Sequence, residues 1–316
     1  MTLISKLLGG LALFLYGMGV MSDGLKRSAG QKLEQILQNA TKSKFVAFLL
    51  GLGTTSLIQS SSAVTVMLIG IVDSGILRYA RTFFVIMGAN VGTTVTAWLI
   101  SLNGLGGMLS FLKPIVFAPM LAIFGVVLFM SAHEKKHNIG AVIVGFAILI
   151  IGIDMMSDAV GFIEDSALFE SMLSLFSNSA FALLFSLLFT AVIQSSSATV
   201  GIIQALSLTG GISFSVCAFL VLGANVGTCI TGLIASVGRS TAAKRVALLQ
   251  TYFNIFGAAL FFAVILLFKK LLPAYSNMSV GIVDVAAVHT LFNLLTTVFI
   301  LPFYKQIICI TEKTVK

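Results

Sequence analysis

An all-α membrane protein built from two inverted-topology copies of one unit is the fold class that this sequence predicts, and three observations predict it. Of 316 residues, 58% are hydrophobic and only 9% are charged, far outside the composition of soluble domains. Apolar runs close to the twenty residues that cross a bilayer recur along the whole chain. Two pentapeptides are identical, Gln59-Ser60-Ser61-Ser62-Ala63 and Gln194-Ser195-Ser196-Ser197-Ala198, and they stand 135 positions apart.

The same offset relates further segments. Gly88-Ala89-Asn90-Val91-Gly92-Thr93 recurs as Gly223-Ala224-Asn225-Val226-Gly227-Thr228, and Gly17, Met21, Ser22 and Asp23 recur as Gly152, Met156, Ser157 and Asp158. Three matches at one spacing make the chain an internal duplication, a common plan among transporters. Repeat 1 covers 1–131, repeat 2 covers 136–268, and a further helix at 280–303 lies outside the duplication.

Taken in order, full crossings are expected at about 3–22, 82–101, 113–131, 139–156, 214–236, 246–268 and 282–301, seven in all. The runs at 45–74 and 180–208 carry the Gln-Ser-Ser-Ser motifs centrally, and each reads either as one tilted span or as a re-entrant hairpin. Loop charge chooses between these. With two hairpins, Lys6, Lys113, Lys269 and Lys270 fall on one side and the other 15 of 19 basic residues on the opposite side; with single crossings the division is twelve against seven. The excess of basic loops on the cytoplasmic side favours hairpins and an outside N-terminus.

Three crossings per unit turn the second copy upside down relative to the first. The connectors after each first helix agree: 23–44 carries five basic residues, whereas 157–179 carries Asp158, Glu164, Asp165 and Glu170 and no Lys or Arg. Both have a helical apolar pattern, with Leu33, Ile36 and Leu37 in one and Met172, Leu173, Leu175 and Phe176 in the other, which fits interfacial helices.

Composition also excludes classes. The net charge of +8 is spread over short loops rather than gathered on one face, so it speaks for membrane orientation and not for nucleic acid. Cys217, Cys229 and Cys309 have no paired spacing, and neither a disulfide framework nor a zinc site is expected. The run at 3–21 has the look of a secretory signal, but its duplicate lies mid-chain, so it reads as a retained span. No His or Lys neighbours the serines to activate a nucleophile, and no phosphate-binding Gly-Lys-Ser/Thr loop is present, so neither an enzyme nor an ATP-driven pump is expected.

Unpaired polar groups in lipid cost several kcal/mol, roughly 2–7 each. Packing and back-bonding account for isolated serines in membrane helices. They do not account for a Gln beside three serines, in two copies, flanked by Thr54, Thr55 and Thr65 in one and Thr190 and Thr199 in the other. The Gly-x-x-x-Gly spacings around Asn90 and Asn225 read as close helix contact, as a local opening of the helix, or as both. With no Lys or Arg in the motif segments, an anion must be held by hydroxyls, the Gln amide and the free N–H groups of a helix start. The same Gln, Asn, Ser and Thr oxygens are hard ligands suited to sodium. Bound sodium would balance an oxyanion that no fixed charge balances. Asp73, Asp154, Asp284 and His289 offer the competing proton coupling, and a hydroxyl-lined channel filter is the third reading. Phe253-Asn254 and Phe292-Asn293 read as interhelical bonding residues.

The duplicated Gln-Ser-Ser-Ser followed at fixed spacing by Gly-Ala-Asn-Val-Gly-Thr resembles the type II sodium-dependent phosphate cotransporter family, bacterial members included, over nearly the whole chain. That resemblance implies a plasma-membrane symporter taking inorganic phosphate into the cell with sodium as coupling ion and no organic cofactor. It places phosphate at Gln59, Ser60, Ser61, Ser62, Gln194, Ser195, Ser196 and Ser197. It points to Thr65, Asn90, Thr93, Thr199, Asn225 and Thr228 as sodium contacts. A homodimer is an open alternative to a monomer. Many bacterial relatives continue into a helical domain similar to the phosphate-regulatory PhoU protein; the sequence ends at Lys316, so regulation by such a domain is not expected from it.

Overall fold

The computed structural model describes residues 3–29, 43–102, 114–161, 174–208 and 211–316, and within them the chain is helical. In chain order the helices are α1 (Leu3–Ala29), α2 (Lys44–Ile58), α3 (Ser61–Asp73), α4 (Tyr79–Ser101), α5 (Pro114–Phe129), α6 (Glu134–Gly161) and α7 (Ser179–Ile193). They continue with α8 (Ser196–Ser207), α9 (Phe214–Gly227), α10 (Cys229–Ala235), α11 (Thr241–Leu271), the single turn α12 (Pro273–Ser276), α13 (Ile282–Ile300) and α14 (Tyr304–Thr314). Six described stretches are long and apolar enough to cross a membrane: Ser5–Ser28, Tyr79–Ser101, Glu134–Met156, Phe214–Ala235, Thr241–Leu271 and Ile282–Thr314. The protein is an all-helical, multi-pass membrane protein. The crossing expected at 113–131 corresponds to α5, whose 16 described residues fall short of that length. Leu33, Ile36, Leu37, Met172 and Leu173 of the two expected interfacial helices lie outside the described residues.

The glycine-rich hexapeptides set the arrangement of each motif run. A Cβ at Gly88 would strike the Phe48 carbonyl oxygen, and one at Gly92 would lie 2.5 Å from the Leu52 carbonyl oxygen. Contacts that advance together along α2 and α4 make the two helices parallel. Since α3 lies between them in sequence, α2 and α3 form a hairpin that enters and leaves at one end, as loop charge predicts. At the 135 offset, Gly223 meets the Leu183 carbonyl and Gly227 the Leu187 carbonyl, so α7 and α8 form the matching hairpin against α9. Close helix contact is therefore what these glycines supply. The alternative of a local opening does not occur: α4 runs unbroken through Asn90, and the break between α9 and α10 is one residue, Thr228, with helical dihedrals of −60° and −24°.

The two hairpins open at opposite ends of the bundle. At the base of the first, Lys44 Nζ donates to the Tyr304 hydroxyl at 2.7 Å, Tyr79 meets Glu312, and Asp73 pairs with Arg239 at 3.3 Å just before α11 begins. At the base of the second, Lys269 Nζ donates to the Ser177 carbonyl at 3.1 Å and Phe214 packs on Phe268, near the far end of α11.

Between the halves, α1 and α6 cross antiparallel. Gly10 lies against the backbone of Gly152, and Gly17 against that of Gly145 and Leu149. The offset carries Gly10 to Gly145 and Gly17 to Gly152, so each helix makes with the other the contact that the other makes with it. Helix association in lipid rests on such close packing rather than on water exclusion. Buried Phe83 and Phe253 meet edge to face at 6.1 Å between α4 and α11. Leu188 and Val192 of α7 point outward, 63% and 82% exposed, as acyl-chain contacts would.

The last expected crossing, 282–301, corresponds to α13, and more helix follows it. Pro302 removes one N–H, the backbone tightens into a 3-10 turn at Leu301–Phe303, and α14 continues to Thr314.

Candidate functional site

Each motif is a helix end followed at once by a helix start. Gln59 closes α2 and Gln194 closes α7, both at φ 60° and ψ 25°, the left-handed region that a side chain occupies at a cost of about 1–3 kcal/mol. These are the only non-glycine residues with positive φ among those described. Glycine would adopt this corner freely, so the strain is retained for the sake of the side chain. Ser60 then caps α3 by accepting from the Ala63 N–H at 3.2 Å, and Ser195 caps α8 by accepting from the Ala198 N–H at 3.2 Å. The N–H groups of Ser61 and Ser62, and of Ser196 and Ser197, lie in the first turns of their helices. There the positive end of the helix dipole faces the tip.

The tips meet. Thr96 Oγ1 of α4 donates to Gln59 Oε1 at 2.5 Å, and Ser197 Oγ of α8 reaches Thr96 Oγ1 at 3.5 Å. Gln59 Nε2 donates in turn to the Ser56 carbonyl, which fixes the amide by both ends. Gln59, Thr96 and Ser197 are 6%, 1% and 5% exposed, so this junction of the two repeats lies deep in the protein. Ser61, Ser62 and Ser196 are buried around it, whereas Gln194 is exposed and Ser60 and Ser195 are partly so. Thr96 was not among the residues expected from the sequence. The signal was present, because the 135 offset carries Thr96 to Thr231.

The six expected cation contacts, Thr65, Asn90, Thr93, Thr199, Asn225 and Thr228, are all buried. Asn90 Nδ2 donates to the Ile86 carbonyl at 3.0 Å and Asn225 Nδ2 to the Val221 carbonyl at 2.9 Å, so each amide spends a donor on its own helix and its oxygen is held in a fixed direction. Thr93 and Thr228 donate to the carbonyls of Ala89 and Ala224 at 3.0 and 2.9 Å, which leaves their oxygen lone pairs free to accept. Thr199 bonds across its hairpin to Thr190 at 2.7 Å.

Asn254 and Asn293 donate to the Gln250 and His289 carbonyls one turn back, at 3.0 and 2.9 Å, and Asn254 also bonds across to Cys229 of α10. The carboxylates cap or pair at helix ends: Asp73 accepts from the Ser240 N–H at 2.9 Å and Asp284 from the Gly281 N–H at 2.8 Å. Asp154 is exposed on α6. A groove of about 590 Å³ lined by Trp98, Phe214, Tyr275, Met278 and Leu291 contains none of the motif residues, and its apolar walls suit an acyl chain rather than an oxyanion.

Comparison with known proteins places these features. The model of the Na+/Pi-cotransporter family matches residues 13–158 and 159–291, one match for each half. The chain belongs to the Na+/Pi-cotransporter family. Its members are transporters, not enzymes. Among relatives, the uncharacterized protein YqeW of Bacillus subtilis is 31% identical over 308 residues, 93% of this chain and 94% of that protein. The "Putative inorganic phosphate export protein YjbB" of Escherichia coli is 27% identical over 96% of this chain, which spans 54% of YjbB. The sodium-dependent phosphate transport protein 2A of Rattus norvegicus is 34% identical over 110 residues, 34% of this chain and 17% of that protein. No solved structure matches the chain.

Proposed function

We propose that this family member is a secondary active transporter that carries inorganic phosphate together with sodium. Phosphate binds between the hairpin tips at Gln59–Ser62 and Gln194–Ser197, and sodium binds at Thr65, Asn90, Thr93, Thr199, Asn225 and Thr228. The observation that carries this reading is the meeting of the tips through Thr96, with a helix start at each tip and no basic side chain in either motif segment. Helix-start N–H groups and hydroxyls suit an oxyanion, and alkali cations on neutral oxygens balance its charge.

Repeat 1 at 1–131 and repeat 2 at 136–268 act as inverted halves, with the helix at 280–303 bracing them. The reciprocal antiparallel crossing of α1 and α6 and the opposite openings of the hairpins support inversion. The basic end, with Lys44, Arg245 and Lys305, faces the cytoplasm in the plasma membrane. Alternating access follows if one half rocks against the other about the tips.

Uptake of labelled phosphate into liposomes containing the purified protein, with and without an inward sodium gradient, tests the proposal. Sodium-dependent uptake is expected; uptake indifferent to sodium overturns the coupling. A second reading, outward movement of phosphate, is favoured by the YjbB match over 96% of the chain. Loading liposomes with phosphate and reversing the sodium gradient measures it directly.

A further inference from the structure

The two motif tips have one sequence and one backbone geometry, yet they stand in different environments. In repeat 1, Gln59 is buried and receives the Thr96 hydroxyl at 2.5 Å, and Thr96 also receives Ser197 from the opposite repeat at 3.5 Å. The 135 offset converts these three residues into Gln194, Thr231 and Ser62. That second triad is not assembled. Thr231 Oγ1 is shielded from solvent and has no hydrogen-bond partner among the described residues, and Gln194 is exposed. A hydroxyl enclosed in lipid-embedded protein without a partner is costly. The bond that would relieve it is the one its twin already makes.

We infer that Thr96 and Thr231 are alternating anchor residues of the transport cycle: Thr96 holds the Gln59 tip in the state seen here, and Thr231 takes the Gln194 tip in the state facing the other side. The inference rests on the alternating-access reading above and adds to it the two residues that position the tips. Neither threonine belongs to the duplicated motifs as the sequence first presents them. Each is three residues past the Thr that ends its hexapeptide. Exchange of one anchor for the other conserves the number of hydrogen bonds, so the two states stay close in energy, as a reversible carrier requires.

Backbone hydrogen exchange of the protein in lipid nanodiscs, read by mass spectrometry on the segments containing Gln59–Ala63 and Gln194–Ala198, tests this without reference to transport. In the unmodified protein the first tip exchanges about tenfold more slowly than the second. Thr96→Val speeds exchange at the first tip and slows it at the second, because the freed population docks on Thr231; Thr96→Ser keeps the wild-type pattern. A purely structural role for Thr96 loosens the first tip and leaves the second unchanged, and that result overturns the inference. Thr231→Val removes no bond present in this structure, so it folds as the parent does and remains decisive even if Thr96→Val does not. It leaves the first tip protected and lowers phosphate flux about tenfold, with recovery in Thr231→Ser. Flux equal to wild type in Thr231→Val overturns the inference. Reciprocal exchange in a protein that moves no phosphate overturns the transport reading and leaves the anchors standing; phosphate flux without reciprocal exchange does the opposite.

Discussion

Gln59 and Gln194 have the same left-handed backbone, φ 60° and ψ 25°, at equivalent hairpin corners, although one side chain is buried and bonded and the other is exposed. A strained conformation kept twice, under different contacts, is set by the corner itself and not by either environment.

Gln194→Gly therefore separates strain from function. Glycine adopts positive φ without penalty, so the variant is expected to be more stable than the parent by about 1 kcal/mol. It loses phosphate uptake. Thermal unfolding in detergent and uptake on the same preparation check both halves of this outcome.

The serines and asparagines divide by ligand. Ser61→Ala and Ser196→Ala each remove a hydroxyl from the first turn of a tip helix and are expected to weaken apparent phosphate affinity about tenfold, close to the value of one hydrogen bond to a charged group. Asn90→Ala and Asn225→Ala remove fixed carbonyl oxygens and shift the sodium dependence more than the phosphate dependence. Uptake titrated separately in each ion distinguishes the two patterns.

Gly88→Ala and Gly223→Ala place a methyl group on the Phe48 and Leu183 carbonyls, where backbone cannot yield. Each is expected to cost about 1–3 kcal/mol or more, by overpacking, with the two copies behaving alike. Gly19→Ala, which meets no atom within 4 Å, serves as the control on the same unfolding assay.

Asp73 tests the proton-coupled alternative. Bonds from the Ser240 side chain and backbone, then Arg239, hold its carboxyl below the ordinary value of 3.8. A depressed pKa means that its stabilising contacts are present above the unfolded value and fade only as pH falls through the folded one. Between about pH 5 and 8 the group stays ionised. Asp73→Asn is thus expected to leave the pH profile of phosphate uptake unchanged over that range; a displaced profile would make Asp73 part of the coupling.

Much of this architecture was legible because repetition makes weak signals additive. A single Gly-x-x-x-Gly says little, but Gly88 and Gly223 recur at one offset beside two Gln-Ser-Ser-Ser motifs, and the partition of loop charge favours a hairpin at each motif. Thr96 is harder to read, because it and its twin Thr231 lie one turn beyond the identical hexapeptides. The local bond of Asn293 is not legible in sequence, because an amide one turn beyond a carbonyl satisfies its donor on its own helix as readily as across to another. The apolar run at 282–301 matches α13 closely, but α14 beyond the tight turn is not apolar enough to be read from that run.

The crossing of α1 and α6 carries a mechanical consequence. With Gly10 on Gly152 and Gly17 on Gly145, main chain lies against main chain, and the Met155 and Met156 side chains pack beside Gly9 and Gly10. If one half rocks against the other as proposed, this crossing is the axle of that motion. A bulkier residue there on either helix would wedge both.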